Sequence, residues 1–502
     1  MRRIAAIVLS SLRVCLARLR NPDLAGAPLA VVVTRHDGGP KDERALLGNT
    51  RLDEVSDEAW KHGVRPGQTV AQARAKSLSL RVRVVHEDEA ALALASLAEA
   101  LLAFGATTSI LAERDALLVD VTGCAHLHAA NANDAVPGES ALLAAIEGCV
   151  QALGYRCRVA IADGPEVAWA VAASSPRSRV LEPGRGPTIL ASLPVAILRL
   201  DEGTTSWLQK LGISTLGELQ RLPRASLGSR LGKAHARVFA LLDNEDHAPL
   251  RRFEPREILE ERVELEYGIE ALEPLFFVLK TLCDRVSARL FGRCLCAARL
   301  DVELKLDRAL VPEGREPFTL LSVPLPMPIH RTGELLAVLR ARFEAQTTRE
   351  LFPAPILAVT LRVPEPVVRT EKELSLFVAE SRAERALAPL LAELTALLGP
   401  DSVGTLCLHN RWAPEERSRI VPVGTKHARR SSFVSSTTEP VRWLPEPLAC
   451  RVVPASAPLV RFAQVEWWRG VRSAEQVMVW TEGALAIVEI EGDGARIRGF
   501  VD

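Results

Sequence analysis

Close cysteine pairs are nearly absent from this sequence. Its nine cysteines are scattered over 502 residues, and only Cys294 and Cys296, in RCLCAARL, lie near each other. One intervening residue puts both on one strand face, a poor pincer for zinc, and no second pair follows. That argues against a disulfide scaffold and predicts reduced, cytosolic thiols. An excess of either charge is also lacking. Lys+Arg and Asp+Glu both number 62, so the whole chain has no general pull on nucleic acid or membrane, although a local basic face stays open. No uncharged apolar run reaches membrane-spanning length, so no membrane partner is expected. MRRIAAIVLSSLRVCLARLR is interrupted by Arg13 and reads as a buried strand and a basic amphipathic helix rather than a signal peptide. There is no Walker loop, no H-E-x-x-H and no G-x-S-x-G. His126 and His128 are too few for a metal site and read as structural or exposed. Finally, Met1–Arg13 contains no Asp or Glu.

What is present is enough apolar residue, 48%, to bury several cores, and the length predicts three or four domains. Ile4–Leu9, Leu29–Val33, Leu80–Val85, Leu117–Val121 and Tyr155–Ala162 read as strands. Asp53–His62, Glu89–Phe104, Glu139–Leu153 and Glu166–Ala173 read as helices, and Thr69 as the cap of another. This alternation predicts an α+β domain with helices on a sheet. Short Gly- and Pro-punctuated helices fill Leu193–Leu250. A second α+β pattern runs from Leu259 to Pro364, with strands Arg262–Leu265, Cys296–Leu306 and Ile356–Val363 and helices Glu270–Leu290 and Glu334–Phe343. A hinge follows, then a helix over Ala379–Leu398. KHARRSSFVSSTT, from Lys426, reads as a mobile stretch.

Three stretches carry possible binding chemistry. KLGIST, Lys210–Thr215, has the form of a helix-hairpin-helix turn. Such a hairpin turns backbone N–H groups toward a DNA phosphate without reading bases. Lys210, Gly212, Ile213, Thr215, Arg230 and Lys233 are the candidate DNA-binding residues; the competing reading is a packing module with solvated cations. EKELSLF, Glu371–Phe377, presents Leu374, Leu376 and Phe377 as anchors for a groove, or as the buried start of the next helix. VEWWRG, Val465–Gly470, sets two indoles beside Arg469, for base stacking or for a core.

RRIAAIVLSS, SDEAWKHGVRPGQTVAQAR, DALLVDVTG and RVAIADGPEVAWAVAAS together resemble the Y-family, or lesion-bypass, DNA polymerases (UmuC/DinB-like). The similarity is to their catalytically degenerate, ImuB-type branch. It implies an α+β multidomain, right-hand architecture. Palm and fingers would span 1–192 (fingers about 24–85), and a helix-hairpin-helix thumb 193–251. A little-finger-like DNA-contacting domain would span 252–367, a hinge with a clamp-binding peptide 368–378, and a C-terminal extension 379–502. The active family holds two metal ions on one first-strand acid and a later acidic pair. Those positions correspond here to Val8, with Ser10 next, and to Asp115 and Ala116. Only Asp115 is acidic, and one carboxylate does not assemble a two-metal seat. The triphosphate-gripping Tyr and Arg correspond to Asp57 and Trp60, and the nearby lysine to Val171.

The resemblance therefore implies a scaffold without a catalytic site, metal or cofactor. It would serve damage-induced translesion synthesis, cytoplasmic and nucleoid-associated. Its implied partners are primer-template DNA, the β sliding clamp, a recombinase-related accessory protein and an error-prone replicative-type polymerase. Glu373, Leu374, Leu376 and Phe377 would be the clamp peptide, with Glu373 standing where that peptide carries Gln. Two alternatives remain open: an active polymerase with Mg2+ on unusual ligands such as Glu113 and Asp120, and an adaptor with no DNA affinity.

Overall fold

The computed structural model describes residues 2–34, 45–128, 138–243, 249–345, 353–369, 382–399, 401–408, 418–422, 441–450, 460–462, 474–481, 484–491 and 494–501. The clamp peptide at 373–377, the Lys426 stretch and the tryptophan pair at 467–468 lie outside them. Among the described residues no helix is long and apolar enough to cross a membrane.

The chain opens with β1 (Arg3–Leu9), whose seven residues are all buried, and α1 (Leu12–Arg20). A small module follows: β2 (Leu29–Thr34), β3 (Glu54–Val55), α2 (Asp57–Lys61), α3 (Val70–Lys76) and β4 (Arg81–His86), with sheet order β3-β2-β4. Its own apolar core includes Val32, Leu52, Val64, Val70 and Val82. It falls within the stretch of about 24–85. The helix expected at Asp53–His62 is shorter. Glu54 and Val55 pair with β2, and Ser56 caps α2 by accepting from the Ala59 N–H. Thr69 caps α3 in a capping box with Gln72.

The chain then returns to the first sheet through α4 (Glu87–Ala100), β5 (Thr107–Leu111), β6 (Ala116–Asp120), α5 (Glu139–Ala152), β7 (Cys157–Asp163), α6 (Pro165–Ser174) and β8 (Arg179–Val180). The strand order is β5-β6-β1-β7-β8. Side chains alternate across this sheet, which lies in the stretch expected as palm. Ile7, Leu117, Val119 and Ile161 face α1, α4 and α5 in one core. Ile4, Val8, Ala116, Leu118 and Ala162 face α6 and the following helices in another.

Five short helices follow: α7 (Gly186–Ala191), then, within the stretch 193–251, α8 (Glu202–Lys210), α9 (Leu216–Gln220), α10 (Arg224–Leu231) and α11 (His235–Leu242). The next module contains β9 (Leu259–Ile269), α12 (Leu272–Gly292), β10 (Leu295–Leu306), β11 (Phe318–Ile329), α13 (Thr332–Glu344), β12 (Ile356–Val363) and β13 (Pro366–Val368). Its sheet runs β11-β10-β12-β9, with β13 on β10, and its core lies under α12 and α13. Sequence reading overlooks β11 because of Pro324, Pro326 and Pro328. It is an edge strand, where a missing N–H donor is tolerated.

The extension was expected to begin at 379. Instead α14 (Arg382–Leu398) packs Ala388 and Ala392 against the core of the preceding module, and the division into compact units falls at Leu397. The second unit contains a hairpin of β14 (Gly404–Leu408) and β15 (Ser418–Pro422). It also has a five-stranded sheet of β16 (Val441–Cys450), β17 (Val460–Phe462), β18 (Ala474–Thr481), β19 (Ala484–Glu491) and β20 (Gly494–Val501), ordered β16-β20-β19-β18-β17. The fold class is the expected one, α+β and multidomain with a C-terminal extension.

Candidate functional site

Val8 and Ala116 are direct cross-strand partners in the β1–β6 register. The first-strand position and the second member of the acidic pair therefore do meet in space. Both are apolar and buried, in the core shared with α6. Ser10 follows the strand end, and its N–H donates to the Arg156 carbonyl at 2.8 Å. Asp115 turns the chain into β6 from a left-handed conformation, φ 45°, and its carbonyl accepts the Leu9 N–H at 2.9 Å.

The Asp115 carboxylate does not face solvent alone. Arg13, at the start of α1, donates to its Oδ2 at 2.5 Å. The same guanidinium donates to Glu54 at 3.1 Å and Glu87 at 2.7 Å. Asp115 Oδ1 is buried with no hydrogen-bond partner among the described residues. Burial works against the Arg13 charge, but its hydrogen bonds to Asp115, Glu87 and Glu54 prevail and hold the guanidinium pKa above its ordinary value. Glu54 also accepts the Arg13 and Val14 N–H groups. Burial raises its pKa above the usual range despite Arg13. A fixed guanidinium thus stands beside the one surviving acid. These residues do not fit a two-metal seat: two of the required oxygen ligands are an isopropyl and a methyl group, and the third is ion-paired. Among the described residues no group of three or more His, Cys, Asp and Glu is arranged to hold a metal.

Of the alternative acids, Asp120 does not converge on Asp115. Asp120 ends β6, five residues from Asp115, or roughly 16 Å along a strand. It is held by Arg2 at 2.9 Å and Thr122 at 2.6 Å. The Glu113 carbonyl accepts from Arg199 at 2.8 Å.

The triphosphate positions are taken up by other contacts. Asp57 pairs with Arg156 at 2.6 Å on an exposed surface. Trp60 is exposed and covered by Arg65, whose guanidinium carbon lies 4.0 Å from the ring centroid. Val171 is fully buried on α6 and faces the core, not a cleft.

The thumb hairpin adopts the expected turn, with Gly212 at φ 72° between α8 and α9. Its donors, however, are already in use. The Gly212 N–H donates to Gln209 O and the Ile213 N–H to Leu208 O. The Ser214 and Thr215 N–H groups donate to Glu218 Oε2 at 2.7 and 3.0 Å, and the Ser214 hydroxyl adds a third bond. Those bonds, the Ser214 N–H first, pull the Glu218 pKa down to about 2. A carboxylate occupies the donors expected to receive a phosphate. Thr215-x-x-Glu218 is a capping box, a signal legible in sequence that the hairpin reading passes over. Lys210 is exposed, and Arg230 lies over Trp207 at 5.6 Å. The Lys233 side chain lies outside the described residues.

The open face of the little-finger-like sheet carries Arg262, Arg299, Lys305 and Arg362 among Glu260, Glu264, Asp301 and Glu303. Arg362 pairs with Glu260 at 2.6 Å, Arg262 with Glu264 at 2.7 Å and Arg299 with Asp301 at 3.4 Å. The four cations and four anions named here balance, so together they add no net positive field for DNA.

The impB/mucB/samB family matches residues 11–173. Protein ImuB of Caulobacter vibrioides, from two strains, is 29% identical over 421 residues, which covers 82% of this chain and 86% of that protein. Among solved structures, DinB from Sulfolobus solfataricus is 15% identical with a TM-score of 0.40, covering 73% of this chain and 100% of its own. A Y-family DNA polymerase chimera, Dbh-Dpo4(243-245)-Dbh, is 16% identical with a TM-score of 0.42, covering 73% and 99%. Residues 11–173 thus resemble the impB/mucB/samB family, in a chain that is similar to Protein ImuB over 82% of its length.

Proposed function

We propose that this protein is a non-catalytic Y-family polymerase-like scaffold in DNA-damage-induced translesion synthesis and mutagenesis. It acts in the cytoplasm, at the nucleoid, without metal or cofactor. It holds primer-template DNA by backbone contacts. It recruits the β sliding clamp, a recombinase-related accessory protein and an error-prone replicative-type polymerase. The observation that carries this reading is the Arg13–Asp115 ion pair next to the apolar Val8–Ala116 pair. The palm sheet is intact, while the positions that would seat two cations are apolar or neutralised. Primer extension with all four nucleotides and Mg2+ or Mn2+ is the direct test. No extension is expected; robust extension that is lost in Asp115→Asn overturns the reading.

The second reading is a protein adaptor with no DNA affinity. It is favoured by Glu218 on the hairpin donors and by the charge-balanced sheet face. Fluorescence binding to primer-template DNA over a salt series separates the two. A DNA-holding scaffold loses affinity steeply with salt, whereas an adaptor binds little even at low salt.

A further inference from the structure

Helices α4 and α12 belong to different modules, and they meet at Gly292. A Cβ at this position would lie 2.1 Å from the Glu99 carbonyl oxygen, so only glycine permits the approach. Across the contact α12 presents Arg285, Arg289 and Arg293, spaced four residues apart on one face. Glu99, only 2% exposed, accepts from Arg289 Nε at 2.8 Å and from Arg293 at 3.1 Å. Arg289 also donates to the Glu261 carboxylate at 2.8 Å and the Glu260 carbonyl at 2.7 Å. Glu261 in turn accepts the Ser96 hydroxyl of α4 at 2.8 Å. Ser96 and Glu99, one turn apart, thus hold both ends of one buried network. A second tether lies at the free edge of β5, where the Phe253 N–H donates to the Thr108 carbonyl at 2.7 Å and Phe253 packs on the palm core.

Burying charge costs desolvation energy that apolar contacts would avoid, so a network like this acts through geometry more than cohesion. α4 covers the palm face that carries Ile7 and Leu117, the opposite face from Val8 and Ala116. We propose that Glu99, gripped by Arg289 and Arg293, is a latch that joins the palm and the little-finger-like module into one rigid body. The module is seated behind the palm sheet, on the face away from the degenerate metal positions, and does not swing independently.

The test uses the full chain, with small-angle scattering and amide hydrogen exchange on wild type, Glu99→Gln, Gly292→Val and the milder Arg293→Gln. The wild-type radius of gyration is expected to stay constant as salt rises, because a buried pair is weakly screened. Glu99→Gln and Gly292→Val are expected to raise exchange roughly a hundredfold at the α4–α12 contact. They should also expand the particle, while β1, β6, β10 and β12 stay protected. Arg293→Gln should give a smaller change in the same places. Unchanged protection in Gly292→Val, or a wild-type particle that expands with salt, overturns the latch. So does global loss of protection in all three variants, because the contact would then be part of a single folding core.

Discussion

Arg13 donates to Asp115 across 2.5 Å, with Glu54 on the same Nη1 and Glu87 on Nη2. This guanidinium is the counter-charge to the acids around the degenerate site. Arg13→Gln leaves three carboxylates facing one another and is expected to destabilise the chain by about 3 kcal/mol, read from urea unfolding. Asp115→Asn should cost clearly less, because Glu54 and Glu87 still hold Arg13. Equal costs would mean that the Arg13–Asp115 pair alone matters.

The Glu218 carboxyl, held at about 2 by the Ser214 and Thr215 donors, makes the hairpin acid-sensitive in a defined window. A depressed carboxyl pKa contributes stability above the ordinary value of 4.5 and loses it as pH falls toward 2. The Ser214 and Thr215 amide shifts should therefore titrate together near pH 2. A midpoint at 4 or above would show that the carboxylate is not held there.

If the chain grips DNA through its thumb, Lys210→Ala and Arg230→Ala should each weaken binding equally across sequences. Each should also reduce the slope of log affinity against log salt by about one. Unaltered slopes would remove these residues from the interface.

The hinge peptide is tested separately. Changing Leu376 and Phe377 to Ala should abolish clamp pull-down while leaving DNA affinity largely intact, since apolar anchors carry most of such a contact. Clamp capture at wild-type level would assign these residues to a folded core.

Much of the architecture was legible because local patterns agreed with their surroundings. The apolar run Ile4–Leu9 is a wholly buried strand, and the Ala/Leu-rich stretch after Glu89 is α4. Thr69 does cap α3. Legibility failed where tertiary context overrode local signals. Three prolines hid β11, which an edge position makes acceptable. A β-pairing at Glu54 and Val55 shortened the helix expected around them. At the hairpin, the phosphate-binding pattern and the capping box occupy the same residues, and the nearest acid, Glu218, takes the donors.

The amino-acid order alone determined that the first strand brings no acid to the palm, since no register of Met1–Arg13 supplies one. It also determined that Asp115 stands next to an alanine. What took the place of the lost chemistry was decided only in three dimensions. The partners of Arg13 lie 41, 74 and 102 residues further along the chain, and Glu99 meets Arg289 across 190 residues. An ion pair takes its strength from distance and burial, and neither exists until the sheets and helices have packed.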